Sequence, residues 1–241
     1  AQHFFRYGEH SGQRHFVYPQ QQLVTDLVGN YVDQLGGDVR FNVSDVRLHE
    51  ISGAQPSVTF TDSDGHPQRI DCGLIAGCDG ARGVTQSYMP EDTVIARHDY
   101  GIGWLALLAE AGPSAEGVIF GIHPRGFAAH MARSADVTRF YLQCPPGDDP
   151  ANWPDERVWK ELHERLGVPG APILDGPLLE KRVLDMHNYV TEPMSAGSLF
   201  LAGESAHLVA PIAAKGMNLA LHDAFLLAEA VEADVAGDPS K

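Results

Sequence analysis

The chain has 241 residues, 17 of them Lys or Arg and 32 Asp or Glu, for a formal net charge of −15. With 44% hydrophobic and 20% charged residues it has the composition of a soluble globular chain and not of a disordered one. The acidity argues against a nucleic-acid partner and against docking on anionic membrane, and no apolar run approaches the ~20 residues of a membrane helix.

In chain order, residues 20–36 read as a helix. Leu23, Val24, Leu27, Val28, Tyr31 and Leu35 recur at helical spacing, and Gly36-Gly37 ends the run. Residues 39–43 and 45–51 follow as strands. Ser57–Thr61, the turn residues Asp62-Ser-Asp-Gly65 and residues 68–72 read as a hairpin. Residues 74–78 form a short apolar strand that ends in Asp79-Gly80. Four strands are expected between 99 and 144, at 100–109, 117–123, 126–133 and Thr138–Cys144. Their connectors carry Gly, Pro, Ser or Asp, as in an antiparallel sheet. Residues 145–154 read as a loop. Asp155–Leu166 reads as an amphipathic helix with Trp159, Leu162 and Leu166 on one side. Residues 198–203 are a second buried strand, 204–214 a loop, and 215–235 a long helix with Leu221, Phe225, Ala228 and Val231 as its apolar stripe.

Several motifs fail on inspection. His49-Glu50 and His163-Glu164 begin like zinc-protease signatures, but Gly53 and Gly167 stand where the second His is needed. The histidines are spread along the chain without metal spacing, so no metal centre is expected. Gly101-Ile-Gly103-Trp-Leu-Ala106 matches a dinucleotide fingerprint but runs straight into a strand. Gly203-Glu-Ser205-Ala-His207 resembles a nucleophile elbow whose last Gly is replaced, which leaves Ser205 as a minor hydrolase candidate. Cys72, Cys78 and Cys144 lack disulfide or zinc spacing and read as free thiols in a reducing cytoplasm.

Two segments remain. One is Ile75-Ala-Gly77-Cys-Asp79-Gly80-Ala-Arg82-Gly83. The other runs from Leu199 through Gly203-Glu204-Ser-Ala-His207 and Pro211-Ile-Ala-Ala-Lys215-Gly216-Met217-Asn218 to Leu219. In each, an apolar strand ends at a Gly beside a carboxylate, which can accept hydrogen bonds from the hydroxyls of a sugar or ribityl chain. The second then enters a helix N-terminus, whose free N–H groups and partial positive charge favour an anion. Small residues at 213, 214 and 216 let a flat ring lie against the backbone.

With Tyr18-Pro19-Gln20, Val46-Arg-Leu-His49, Gly103-Trp104-Leu105, His123-Pro-Arg-Gly-Phe127 and Glu192-Pro-Met194, these segments resemble the aromatic-ring flavoprotein monooxygenases, in the family's order along almost the whole chain. The resemblance implies an α+β or α/β fold: a partial FAD-binding domain at residues 1–92 and 192–241, with an inserted antiparallel substrate sheet at 93–191. It implies FAD as cofactor and NADPH as co-substrate. A flavin hydroperoxide would insert one oxygen atom of O2 into a phenolic aromatic acid, 4-hydroxybenzoate or a relative. Gln20, Asp79, Gly80, Arg139, Gly203, Glu204, Gly216, Met217 and Asn218 fall at cofactor positions. Pro211 and Lys215 fall at catalytic ones. Arg133, Tyr141, Phe120 and Met131 fall at substrate positions, where Arg133 would grip the carboxylate bidentately.

Some positions depart from the family. Phe120 stands where the family has a proton-relaying Tyr and Met131 where it has a Ser, which points to a related aromatic acid. Glu204 replaces an Asp, and Ile212-Ala213 replace a Thr-Gly pair. The Gly-rich FAD unit and the region beyond residue 241 are missing, and the chain starts at Ala1. The expectation is therefore an internal fragment of a parent that forms homodimers, with a non-catalytic relic or binding module as the alternative.

Overall fold

The computed structural model describes Gly12 and residues 18–115, 117–168 and 172–237. Residues 1–11 and 13–17 lie outside the described residues. No helix among those described is long and apolar enough to cross a membrane.

The first helix, α1 (Gln20–Gly29), continues as a π-helical turn over Asn30–Gln34 and stops at Gly36, with φ +66°. Neither piece buries a residue. Gly37 is required next because the Tyr31 ring packs on it; an added Cβ would lie 2.1 Å from that ring. The strand expected at 39–43 does not form. Asn42 takes a positive φ of 55°, which breaks the extended run, and the neighbouring Arg40 is tied to Asp38 at 2.9 Å.

Strands β1 (Ser44–His49), β2 (Ser57–Thr61) and β3 (Pro67–Asp71) make an antiparallel three-stranded sheet in that order. The expected turn closes its second hairpin. Asp62 accepts the N–H groups of Asp64 and His66 at 3.0 and 2.9 Å, and Gly65 supplies φ +83°. A second sheet brings the two apolar segments together. In it β11 (Leu199–Leu201) lies between β10 (Ser195–Ala196) and β4 (Ile75–Gly77). Its pairing with β4 is parallel, Leu201 opposite Gly77.

The large sheet has six strands in the order β12-β9-β5-β8-β7-β6, and each of its pairings is antiparallel. Its members are β5 (Val94–Ala109), β6 (Val118–Gly121), β7 (Ala128–Ala132), β8 (Thr138–Cys144), β9 (Leu178–Glu192) and β12 (His207–Leu208). The antiparallel reading of residues 99–144 holds, with two corrections. The first strand begins at Val94, six residues early, because its N-terminal half pairs with β9. The sequence reading missed β9 itself, a 15-residue strand, because its burial does not alternate cleanly.

Helix α2 (Asp155–Leu166) forms as expected and covers one face of this sheet. Leu105, Leu107, Phe140, Leu142, Val158 and Leu162 are wholly buried between them. Each such side chain contributes about 1.5–3 kcal/mol relative to exposure, so this seam holds the sheet rigid. The last helix, α3 (Gly216–Ala236), ends at Gly237 with φ +70°. Its expected apolar stripe is not a buried one, since Phe225 is 70% exposed.

Candidate functional site

Two surfaces meet here. The first is the tip of the parallel pair β4–β11. Gly203 follows β11 with φ +63°; an added Cβ would lie 3.1 Å from the Ala220 Cβ of α3, so the turn packs directly on that helix. The Gly203 N–H donates to Asp223 Oδ2 at 2.8 Å, and the same oxygen lies 2.7 Å from His207 Nε2. Asp223 thus ties the turn, β12 and α3 together, and the sequence reading gave it no role. Its signal was only an acidic residue two turns inside a helix facing a His on a short strand.

Ser205 is wholly buried. Its hydroxyl bonds to the Gly77 carbonyl and to the Ala202 carbonyl, the latter at 2.7 Å, and accepts the Ala202 N–H at 3.2 Å. It pins β4 to the turn, and His207 is engaged by Asp223 instead. The hydrolase candidate is therefore overturned: the nucleophile would have no access and no base.

Asp79 and Glu204 stand at adjacent strand tips but differ in what they do. Asp79 accepts the Thr85 N–H at 2.9 Å and the Thr85 hydroxyl, and a Cβ on Gly83 would lie 1.9 Å from its Cγ. Its carboxylate closes its own loop, in which Gly80 takes φ +77°. Glu204 is exposed, while its carbonyl accepts the Tyr189 hydroxyl. Burial first, and then the Glu204 charge, pushes the Tyr189 phenol above its ordinary value. Burial followed by the charges of Asp79 and Asp223 does the same to the Cys78 thiol, at the point where the two segments meet.

Beyond β12 the chain turns at Pro211–Ala213 and passes through Ala214 in the left-handed region at φ +50°. It enters α3 after Lys215. Leu219 N–H is bonded back to Lys215 O at 2.9 Å, whereas the N–H groups of Gly216, Met217 and Asn218 precede any intrahelical acceptor. Pro211, Lys215 and Asn218 are exposed, and Gly216 and Met217 are half-buried. Free N–H groups, a left-handed turn of small residues and an exposed carboxylate fit a flat cofactor with a hydroxylated, anionic tail. Gln20 opens α1, is exposed, and has no described hydrogen bond to this loop.

The second surface is the sheet face turned away from α2. Register places Phe120, Ala129, Tyr141 and Ala106 in one row across four strands, and Met131 beside Arg139 in the next. The side chains of Phe120, Met131, Arg139 and Tyr141 therefore share a face, because successive residues alternate. Trp104 lies on the same face, stacked on Phe127 at 4.8 Å and 15°, with Tyr141 at 5.2 Å. Phe120 reaches Phe127 at 5.7 Å. Ala210 of the loop packs with Trp104 and Met186, and its N–H donates to Asn188 Oδ1 at 2.7 Å. The loop is thereby seated on the aromatic face. The buried Trp104 Nε1 and Arg139 Nε have no partner in the described structure.

Arg139 is ion-paired with Glu180 at 3.0 Å. Arg133 lies in the turn after β7, its N–H bonded to Val137 O at 2.9 Å and its side chain exposed. Alternation gives it the same face as Met131, at the end of the row. The Asp62, Asp64 and His66 side chains have metal-ligand proximity, but Asp62 already serves the hairpin turn and also accepts from Gln68 at 2.7 Å.

The FAD binding domain family matches residues 2–240. The chain is 39% identical over 222 residues to p-hydroxybenzoate hydroxylase of Acinetobacter baylyi, covering 91% of this chain and 54% of that protein. It is 30% identical over 181 residues to 2-heptyl-3-hydroxy-4(1H)-quinolone synthase of Pseudomonas aeruginosa, covering 71% and 45%. It spans about half the length of these relatives. Among solved structures, p-nitrophenol 4-monooxygenase from Pseudomonas putida superposes with a TM-score of 0.73 at 19% identity, covering 91% of this chain and 55% of that one. The aklavinone-11 hydroxylase complex with FAD and aklavinone gives a TM-score of 0.70 at 21% identity, covering 90% and 42%. These two likenesses establish the fold.

Proposed function

The chain belongs to the FAD-binding domain family of flavoprotein monooxygenases, and from that premise we propose that it is the cofactor- and substrate-holding part of an NADPH-dependent aromatic hydroxylase. The observation that carries this reading is the seating of the 203–216 loop, through Ala210, on the aromatic sheet face. The cofactor would supply electron transfer from NADPH and the activation of O2. What this chain's residues do is bind and orient. Glu204 offers a carboxylate to hydroxyls, and the N–H groups of Gly216, Met217 and Asn218, with Lys215 before them, favour negative charge. Gly203 and Asp79-Gly80 shape the turns that present these groups, and Pro211 marks the edge of the loop. Gln20 completes the cofactor set by resemblance alone.

Phe120, Tyr141 and Met131 form the substrate wall, with Arg139 beside Met131 on the same face and Arg133 at its end to receive a carboxylate. Phe120 has no hydroxyl to relay a proton and Met131 none to bind a carboxylate. The substrate class is accordingly a phenolic acid related to 4-hydroxybenzoate, gripped by Arg133 and Tyr141. The same reading divides the chain into a cofactor domain at 1–92 and 192–241 and a substrate domain at 93–191, in a cytoplasmic homodimer.

The test is FAD titration, then NADPH oxidation with a panel of hydroxylated aromatic acids and analysis of the product. Saturable FAD binding, oxidation stimulated by one acid and a hydroxylated product are expected. No stimulation and no product across the panel refute the hydroxylase. The alternative is a binding module that holds no FAD. A folded chain that takes up no FAD sustains it.

A further inference from the structure

We propose that Arg165 is a positioning residue that sets the aromatic wall from the opposite side of the sheet. This rests on reading the Phe120–Tyr141 face as the substrate wall. A helix that only covers a sheet does so with apolar side chains, as Val158, Leu162 and Leu166 of α2 do. Arg165, in the last turn of α2 and 9% exposed, sends its guanidinium to main-chain carbonyls instead. Its Nη1 donates to Gln143 O at 2.9 Å and to Phe127 O at 3.5 Å. Glu161, 4% exposed and one turn earlier, accepts its Nε at 2.9 Å and pairs with Nη2 at 2.8 Å. The other oxygen of Glu161 takes Arg125, whose Nη1 reaches Glu164 at 2.8 Å.

These contacts converge on one short segment. Phe127 N–H donates to Gln143 Oε1 at 3.0 Å, and Gln143 N–H donates to Phe127 O at 2.8 Å. Gly126 has φ +110°, and a Cβ there would lie 3.1 Å from Gln143 Cβ and 3.3 Å from Arg165 Nη1. Glycine leaves room for the guanidinium. The segment so clamped ends in the ring that stacks on Trp104. A buried ion pair gains little stability over an apolar pair of the same volume. What this one supplies is a fixed position for Phe127, and with it the depth of the space beside Trp104 and Phe120. Arg165 therefore sets ring-size selectivity without touching the ligand.

The experiment measures equilibrium binding of a one-ring acid, 4-hydroxybenzoate, and a two-ring acid, 6-hydroxy-2-naphthoate, to the full chain, with melting curves for each variant. The variants are R165M, R165K, E161Q/R165M and F127L. E161Q/R165M removes both buried charges and so leaves none orphaned. R165M and E161Q/R165M are expected to shift the affinity ratio toward the two-ring acid by about tenfold, the scale of a one-methylene change in a pocket. F127L should reproduce that shift, F127L/R165M should add nothing, and R165K should restore most of the ratio. A wild-type ratio in E161Q/R165M beside a shifted ratio in F127L overturns the proposal and leaves the wall intact. An unshifted ratio in F127L, or no binding of either acid to the parent chain, removes the substrate-wall reading and the proposal with it.

Discussion

Asp223 is where the turn after β11, strand β12 and helix α3 are joined, so the consequences of its removal can be worked from the geometry. In Asp223→Ala the N–H of the buried Gly203 loses a charged acceptor at 2.8 Å. Hydrogen bonds to charged groups contribute about 1.5–3 kcal/mol. The His207 pair, with side chains 13% and 24% exposed, adds about 1 kcal/mol or less after screening. The total is about 2–4 kcal/mol. Asp223→Asn keeps an oxygen for the Gly203 N–H, but as a neutral acceptor about half as strong, so its cost is about 1 kcal/mol. For a chain of this length 1 kcal/mol shifts Tm by about 2–4 °C. Asp223→Ala should therefore lower Tm by roughly 4–16 °C and Asp223→Asn by a few degrees. The checks are equilibrium urea unfolding and thermal melts of both variants, with FAD titration alongside. Loosening of the Gly203 turn should weaken FAD binding in the same order. If both variants unfold within about 0.5 kcal/mol of the parent chain, Asp223 does not hold the turn and the account of the site's frame is wrong.

Ser205→Ala should cost about 1 kcal/mol in urea unfolding, because a buried hydroxyl bridging two carbonyls is lost, and a serine-reactive probe should label neither form. The wholly buried His130, whose Nε2 accepts the Ser114 N–H at 3.0 Å, has its pKa lowered by burial. Below the ordinary histidine value of 6.5 the unfolded chain therefore binds a proton that the native chain does not. Stability should fall as pH drops from about 6.5 toward the native value, at most about 1.4 kcal/mol per pH unit, and His130→Gln should flatten that slope in unfolding titrations. Cys144, buried and pushed up to about 11 mainly by desolvation, should stay silent toward a thiol reagent at pH 8 in the native chain. Cys78 should react slowly there and faster in Asp223→Ala, which removes one of the charges that raise it. Equal rates in the two chains would remove Asp223 from its neighbourhood.

What the sequence disclosed and what it hid divide along physical lines. Helix α2 was legible to its ends because its periodicity, acidic start and Gly167 agree. The Asp62–Gly65 hairpin was legible because turn chemistry is local. The apolar runs at 74–78 and 198–203 were legible as buried strands with matching tips, while their parallel pairing came from the structure. Strand β9 was not legible. It carries Glu180, Lys181, Arg182 and Asp185, and its extension is dictated by partners on both sides, β5 and β12, rather than by its own pattern. Residues 39–43 erred the other way: a β-rich run found no partner, and Asn42 turned it. In the site, register placed Phe120, Met131, Arg139 and Tyr141 on one face, which no local pattern could state. Arg165 was hidden for the same reason, since its acceptors are carbonyls 22 and 38 residues away.

The three carboxylates near the strand tips show how placement, not residue type, assigns roles. Asp79 and Glu204 occupy equivalent ends of parallel strands, and each could accept a hydroxyl. Asp79 is closed in by Gly83 and holds Thr85, so moving it would break its own loop before it could serve a ligand. Asp223 carries the Gly203 N–H and His207 on one oxygen, so its charge is committed to the frame. Asp79 and Glu204 are both exposed, but the Asp79 carboxylate is engaged by Thr85, whereas Glu204 has its backbone fixed by Tyr189 and no described side-chain hydrogen bond. A hydroxylated ligand at this corner would therefore meet one available carboxylate and, across the loop, the free N–H groups at the start of α3. On the proposed reading, recognition of the cofactor's chain and recognition of its charge would fall to separate elements, and Asp223, which bonds the Gly203 N–H and His207 from within α3, is the group that joins them.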